Sequence, residues 1–165
     1  KPIQKAVVYL DEQEFKSTWL GNKAIYRTRM AMADDGELIV LAPGVEKFGE
    51  DEAVDGLIRK YGYKGRDYVL ETVKSAQDLG ENLSAAAHLI HGSSDGRFRI
   101  TYCTRHLSRD EVEGVGYGYM PYAEAVAKYP IDTLQPGPNR LQDGEEVYYI
   151  PNPALGLWVE KGKLN

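Results

Sequence analysis

The chain has 165 residues, of which 42% are hydrophobic and 27% are charged, and its formal net charge at pH 7 is −5. This size and apolar content suffice for one globular domain with a buried core. Because the chain is acidic and has no cluster of Lys and Arg, a nucleic-acid surface is not expected. No apolar run reaches the roughly 18 residues of a membrane span, and the single Cys103 has no disulfide partner, so we expect a cytoplasmic protein.

The amino-terminal part of the chain predicts a strand, a long helix and a second strand. Residues 5–10, KAVVYL, are short, apolar and β-branched, which is typical of a strand. Residues 18–34 have a helical pattern, and residues 37–43, ELIVLAP, form a continuous apolar run of the kind found in a strand covered on both faces. The order strand, helix, strand predicts a parallel pair of strands and therefore an α/β sheet.

Local signals predict the ends of this helix. Ser17 or Thr18 can cap its start by accepting a hydrogen bond from a free backbone N–H group. Gly36 follows two aspartates and comes directly before the apolar strand. We therefore expect Gly36 to end the helix with a positive φ.

The predicted helix is apolar on three sides, more than one sheet can cover. We therefore expect a second surface to cover it, and an exposed apolar patch around Trp19, Tyr26 and Met30 in this chain. Lys23 lies at the edge of that stripe. Either its ammonium stays in water while its stem lies on Trp19, or it is a cation at a covered interface that binds an anionic ligand. Sequence spacing does not choose between these two interpretations.

The remaining elements break a strict alternation of strand and helix. Three successive helices are predicted at 50–61, 66–77 and 82–91. They are followed by a strand at 97–103, a short helix opening at Ser108, a brief strand at 117–120, a helix at 122–129, an irregular connection at 130–144, a strand at 145–151 and a final edge or tail at 155–161. The prediction is one α/β domain, 1–165, with a mostly parallel sheet, flanking helices and a helical excursion between the second and third strands.

Two features are candidate parts of a ligand site. The loop 44–51 follows the second strand at its carboxyl end, where α/β sheets bind ligands. His88 and His91 are three residues apart on a predicted helix, so both could face one metal ion. No spacing identifies a third ligand, so no metal is expected within this chain. Either histidine also fits a helix end, where a partly positive imidazole is favoured, and the small residues before His88 leave room for another backbone or a substrate.

Two blocks of the sequence resemble a known family. Residues 20–42, LGNKAIYRTRMAMADDGELIVLA, combine a helix that has a lysine in its first half with a buried strand. A later block joins RFRITYC at 97–103 to LSRDEVEGVGYGYMPYAEAVAKY at 107–129. In these blocks the chain resembles the carboxyl-terminal domain of the nickel-pincer-nucleotide lactate racemase family, and it looks closest to the branch of sugar-acid, mannonate-type epimerases.

This resemblance implies a two-domain enzyme whose active site lies between its domains. A missing amino-terminal domain would hold the nickel pincer nucleotide and the acid/base histidines, and this chain would hold no cofactor. The intact enzyme would racemise or epimerise an anionic 2-hydroxy acid or sugar acid by reversible hydride transfer, and this chain alone would be inactive. Lys23 matches the family's lysine that contacts the oxygens of the substrate, which makes it the expected catalytic residue.

The chain also departs from the family's pattern. Leu20 stands where lactate racemases carry a glutamine, and no tryptophan lies near residues 83–87. These departures imply a different 2-hydroxy acid, with Asn22, Arg27 and His88 as the expected substrate-binding replacements.

The first residues, Lys1 and Pro2, lead directly into the first strand without an initiating Met, so we expect a piece of a longer protein. The alternative hypothesis is a free-standing α/β binding or protein-interaction module without catalysis. In that module the helix that is apolar on three sides would bind another protein.

Overall fold

The computed structural model describes residues 1–153, and its centre is one six-stranded sheet. The strands are β1 (Ile3–Tyr9), β2 (Met32–Ala42), β3 (Arg99–Thr104), β4 (Gly118–Pro121), β5 (Gly137–Arg140) and β6 (Glu146–Ile150). They lie in the order β4–β3–β2–β1–β6–β5. Every neighbouring pair is parallel except β5 and β6, which are antiparallel.

Helices cover both faces of the sheet. They are α1 (Thr18–Gly21), α2 (Lys23–Thr28), α3 (Glu52–Tyr61), α4 (Arg66–Ser75), α5 (Gln77–Gly80), α6 (Leu83–His91), α7 (Arg109–Gly114) and α8 (Tyr122–Lys128). The central strands alternate between the faces, as a pleated strand requires. Val8 of β1 packs with residues of α2 to α7 on one side, whereas Val7 packs with residues of α8 on the other.

The predicted fold class is confirmed. The sheet is mostly parallel, helices flank it, and α3 to α6 form the excursion between the second and third strands. The short strand β5 was missed, because GPNR lacks the β-branched and aromatic residues that identify strands. The edge or tail predicted at 155–161 lies outside the described residues. None of the helices within residues 1–153 has the length and apolar character that crossing a bilayer requires.

The single long helix predicted at 18–34 is wrong. Ser17 does cap the start, with its hydroxyl accepting a bond from the Leu20 N–H group at 3.3 Å. The helix then breaks at Asn22 into α1 and α2, and regular helix ends at Thr28. The sequence continues directly into β2, which begins at Met32.

The prediction that Gly36 ends the helix with a positive φ is also wrong. Asp35 takes the left-handed conformation instead, with φ of 64°. Gly36 lies within β2, where a Cβ atom would come 2.8 Å from the carbonyl oxygen of Gln4. The glycine is therefore required for a close approach of two backbones rather than for its φ.

Arg97 accounts for the early end of the helix. Its guanidinium donates to the carbonyl oxygens of Arg29 at 3.0 Å and Met32 at 2.7 Å, and to the carboxylate of Asp34 at 2.9 Å. Because this side chain supplies the donors that a further helical turn would have supplied, the chain can leave the helix after Thr28. No local pattern reveals a donor that lies more than 60 residues away.

Candidate functional site

A shallow recess of about 210 Å³ opens between α2 and α6 on the surface of the domain. We call it the Lys23 recess. It is lined by Trp19, Asn22, Lys23, Tyr26, Arg27, His88 and His91. The lining includes two basic side chains, those of Lys23 and Arg27, and two histidines, and among these described residues there is no aspartate or glutamate. The electrostatic field of the recess therefore favours an anionic ligand.

Lys23 begins α2 and is exposed at the mouth of the recess. Within residues 1–153 no ion pair or hydrogen bond engages its ammonium group, and Asp34, a possible partner, is bound to Arg97 instead. Arg27 lies one helical turn further along and is partly buried. Since residues four apart share one face of a helix, α2 presents both cations to the same recess.

His88 forms the opposite wall and is partly buried. Its ring lies on Trp19 with a centroid distance of 4.4 Å, and its Nε2 atom is 2.7 Å from the hydroxyl of Tyr63. Burial lowers the pKa of His88 to about 4, and the nearby His91 adds to this effect. The imidazole is therefore neutral at pH 7, when it carries one donor and one acceptor nitrogen.

Asn22 connects the recess to a buried stack of tyrosines. Tyr117 stacks between Tyr63 and Tyr102, with centroid distances of 4.6 and 5.2 Å. The side-chain oxygen of Asn22 accepts a hydrogen bond from the Tyr102 hydroxyl at 2.8 Å, and its side-chain nitrogen donates to the Tyr117 hydroxyl at 3.0 Å. This side chain is held inside the domain, at the break between α1 and α2.

The loop 44–51 supports the recess from behind. The Phe48 carbonyl oxygen accepts bonds from the Trp19 N–H group at 2.9 Å and from the Thr18 hydroxyl at 3.1 Å. Ser17 also forms a β-bridge with Lys47. The loop thus fixes the start of α1 and, through it, the indole that packs on His88, although none of its residues lines the recess.

Two of the solved structures that match this chain cover almost all of it. One is a crystal structure of a Thermotoga maritima protein, with a TM-score of 0.73 and 24% identity over 96% of this chain. The other is a lactate racemase apoprotein from Thermoanaerobacterium thermosaccharolyticum, with a TM-score of 0.62 and 11% identity over 98% of this chain. The chain has a lactate-racemase-like fold. It spans 37% and 36% of the lengths of these two proteins.

No protein-family model and no curated protein matches the chain. At these identities the structural likeness shows the fold alone. The roles of individual residues in this lactate-racemase-like domain must therefore be argued from the geometry of the Lys23 recess.

All four site residues predicted from the sequence line this one recess. Lys23, Asn22, Arg27 and His88 come together although α2 and α6 are about 60 residues apart in the chain. Their catalytic and substrate-binding roles remain predictions. Sequence reasoning missed Tyr63, which follows α3 and reaches His88 from outside the two recess helices.

The expected apolar patch on α1 and α2 is present in part. Tyr26 is 51% exposed and Met30 is 40% exposed, whereas Trp19 is partly covered by the core and by His88. Ala24 and Ile25 face the sheet and are fully buried. One side of α2 therefore packs in the domain, and the side next to the recess remains open.

Proposed function

We propose that this chain is the substrate-contacting domain of a longer racemase or epimerase that acts on a 2-hydroxy acid or a sugar acid. The observation that carries the proposal is the Lys23 recess, which has two basic side chains and no acidic lining residue among those described. It lies on a fold that a lactate racemase shares. A carboxylate entering this recess gains the attraction of the Lys23 ammonium, which has no partner within residues 1–153, and of the positive charge that Arg27 adds.

Lys23 is the residue assigned to the substrate. Its ammonium is exposed and unengaged within residues 1–153, so it can bind a carboxylate or hydroxyl oxygen without first breaking an internal ion pair. Arg27 adds a second positive charge to the same surface of α2. The Asn22 side chain is buried and bonds to Tyr102 and Tyr117, so we assign it the role of positioning Lys23 rather than of binding the substrate.

The proposal places the nickel pincer nucleotide on the part of the longer enzyme that lies outside this chain. Within residues 1–153 no group of three His, Cys, Asp or Glu side chains is arranged to hold a metal ion. The recess itself offers two imidazoles, and one ring nitrogen of His88 is bound to Tyr63. These residues do not fit a nickel site, so reversible hydride transfer would belong to the other domain.

In such a longer enzyme, a second domain would pack against the open side of α2. The two structural neighbours are almost three times as long as this chain. Tyr26 and Met30 lie exposed beside the recess, where a second domain would bury them and close the site over a bound anion. Closure would also exclude water, which strengthens the attraction between Lys23 and the substrate.

The test uses the longer protein that contains this chain, loaded with its cofactor. Racemisation or epimerisation of lactate and of aldonic acids would be followed for the wild type, Lys23→Ala and the exposed control Lys16→Ala, which lies outside the recess. We expect Lys23→Ala to keep the melting temperature within a few degrees and to lose at least about 100-fold in turnover. The control should keep wild-type turnover.

Two outcomes would contradict the proposal. Near-normal turnover of Lys23→Ala would show that Lys23 is a surface residue whose aliphatic part packs on Trp19 and which does not contact the substrate. A wild-type enzyme that turns over neither class of acid would contradict the racemase assignment and favour a binding module.

A further inference from the structure

A chain of three short polar contacts runs from the loop 44–51 to the wall of the Lys23 recess. The Thr18 hydroxyl lies 3.1 Å from the Phe48 carbonyl oxygen and 2.9 Å from the Tyr63 hydroxyl. The Tyr63 hydroxyl lies 2.7 Å from Nε2 of His88. A carbonyl oxygen can only accept a hydrogen bond. The first contact is therefore a hydrogen bond only when the Thr18 hydroxyl donates to the Phe48 carbonyl oxygen.

The donor and acceptor of each of the three hydrogen bonds follow from this first bond. Once Thr18 donates to Phe48, its oxygen accepts from Tyr63, and the Tyr63 oxygen in turn accepts from His88. In the opposite direction the oxygens of Thr18 and Phe48 would face each other at 3.1 Å without a proton, which is repulsive. Only one direction makes all three contacts hydrogen bonds, and in that direction Nε2 of His88 carries the proton.

The other ring nitrogen, Nδ1, is then an acceptor that is not fully buried. Burial keeps His88 neutral at pH 7, since it lowers the pKa of the ring to about 4. Nδ1 has no hydrogen-bond partner within residues 1–153, and it is not among the buried unsatisfied atoms of that part of the chain. Because His88 lines the recess and Trp19 fixes the plane of its ring, the free lone pair is available to a ligand there.

We propose that Tyr63 and Thr18 are positioning residues that hold His88 as its Nε2–H tautomer, so that Nδ1 accepts a hydrogen bond from the hydroxyl group of the anion bound at Lys23. This inference rests on the proposed function and specifies which acids the recess accepts. A 2-hydroxy acid offers Nδ1 a donor. A 2-oxo acid offers a second acceptor in the same place, and two facing acceptors repel. The recess therefore prefers the hydroxy acid by about tenfold, the value of one net hydrogen bond.

The test is NMR of the ¹⁵N-labelled chain at pH 7, with His88→Gln used to assign the ring signals. We expect the proton of His88 on Nε2 in the wild type. Tyr63→Phe keeps the aromatic ring but removes the oxygen, so it should shift the tautomer population toward Nδ1–H. Tyr61→Phe is the matched control, because the Tyr61 hydroxyl bonds to Asp78 away from the recess and its loss should leave His88 unchanged.

The second arm adds lactate or pyruvate at equal concentrations. Lactate should shift the Nδ1 signal of His88 at concentrations about tenfold below those at which pyruvate does. An Nδ1–H tautomer in the wild type, or an equal response to both acids, would overturn the inference while leaving the proposed function in place. If the Nε2–H tautomer is present and neither acid shifts the Nδ1 signal, the ligand role of Nδ1 is overturned, whereas the proposed function, which includes sugar acids and a second domain, is decided by the turnover of the longer protein.

Discussion

The hydroxyl of Tyr63 lies 2.7 Å from Nε2 of His88, although 25 residues separate them in the chain. Tyr63 also stacks on Tyr117, so the same side chain belongs to the buried tyrosine stack and to the wall of the Lys23 recess. A change in the core at this point therefore reaches the His88 ring, which lines the recess. The recess is thus supported by the interior of the domain rather than by α2 and α6 alone.

The depressed pKa of His88 makes the stability of the domain depend on pH. Burial lowers this pKa to about 4, below the usual value near 6.5 that applies to the unfolded chain. Between these values the unfolded chain binds a proton at this ring that the folded chain does not. The free energy of unfolding should therefore fall as the pH drops from about 6.5 to about 4, by roughly 2–3 kcal/mol from this group.

Melting curves between pH 7.5 and pH 4 would measure this effect. Carboxylates also contribute to acid destabilisation, so the relevant quantity is the difference in pH dependence between the wild type and His88→Gln. The exposed neighbour His91 supplies the control, since His91→Gln should keep most of the wild-type pH dependence. Identical pH profiles for the wild type and His88→Gln would show that burial does not depress this pKa.

Gly92 allows the close packing beneath the recess. A Cβ atom at this position would lie 2.5 Å from the Asn22 amide nitrogen and 2.6 Å from a ring carbon of Tyr63. Its φ of −85° suits any residue, so the cost of Gly92→Ala is steric. We expect about 1–3 kcal/mol of destabilisation in urea unfolding. Gly56→Ala, inside α3 with open space around its Cβ position, should be neutral or stabilising by up to about 1 kcal/mol. Equal effects of the two substitutions would contradict this account.

Arg97 holds the transition from α2 into β2, and its neighbour Arg99 provides a matched comparison. Arg97→Met removes the donors to the carbonyl oxygens of Arg29 and Met32, and should lower the free energy of unfolding by about 1–3 kcal/mol. The side chain of Arg99 is 72% exposed and approaches Glu37 only to 3.9 Å. Arg99→Met should therefore change stability by less than about 0.5 kcal/mol. Chemical denaturation that ranks Arg99→Met as the more damaging change would refute the role given to Arg97.

Cys103 is predicted to be unreactive in the folded protein. It is fully buried in β3, and burial, with smaller effects of Glu37 and Glu124, raises the pKa of its thiol to about 12. Since the thiolate is the reactive form, labelling by a disulfide reagent at pH 8 should be slow in buffer and complete in denaturing urea. Rapid labelling of the native chain, with its melting temperature unchanged, would show that this part of β3 opens readily.

The sequence alone determined the framework of this domain. The apolar runs at β1 and β2, with a helical pattern between them, predicted a parallel α/β sheet, and the glycines between residues 50 and 92 marked the helical excursion. These features are local, because periodicity and turn residues act over a few positions. The family resemblance selected Lys23 and His88 as site residues, but it could not show that they share one recess.

Only the tertiary structure decided where the helix ends and how the recess is built. Local patterns extended the helix to residue 34. The structure interrupts the helix at Asn22, whose side chain bonds to Tyr102 and Tyr117, and Arg97 binds the carbonyl oxygens of Arg29 and Met32 beyond the end of α2. Each of these partners lies more than 60 residues away in the chain. A buried polar group must find a partner wherever the fold places one, and this requirement overrides the weak local preference for continued helix.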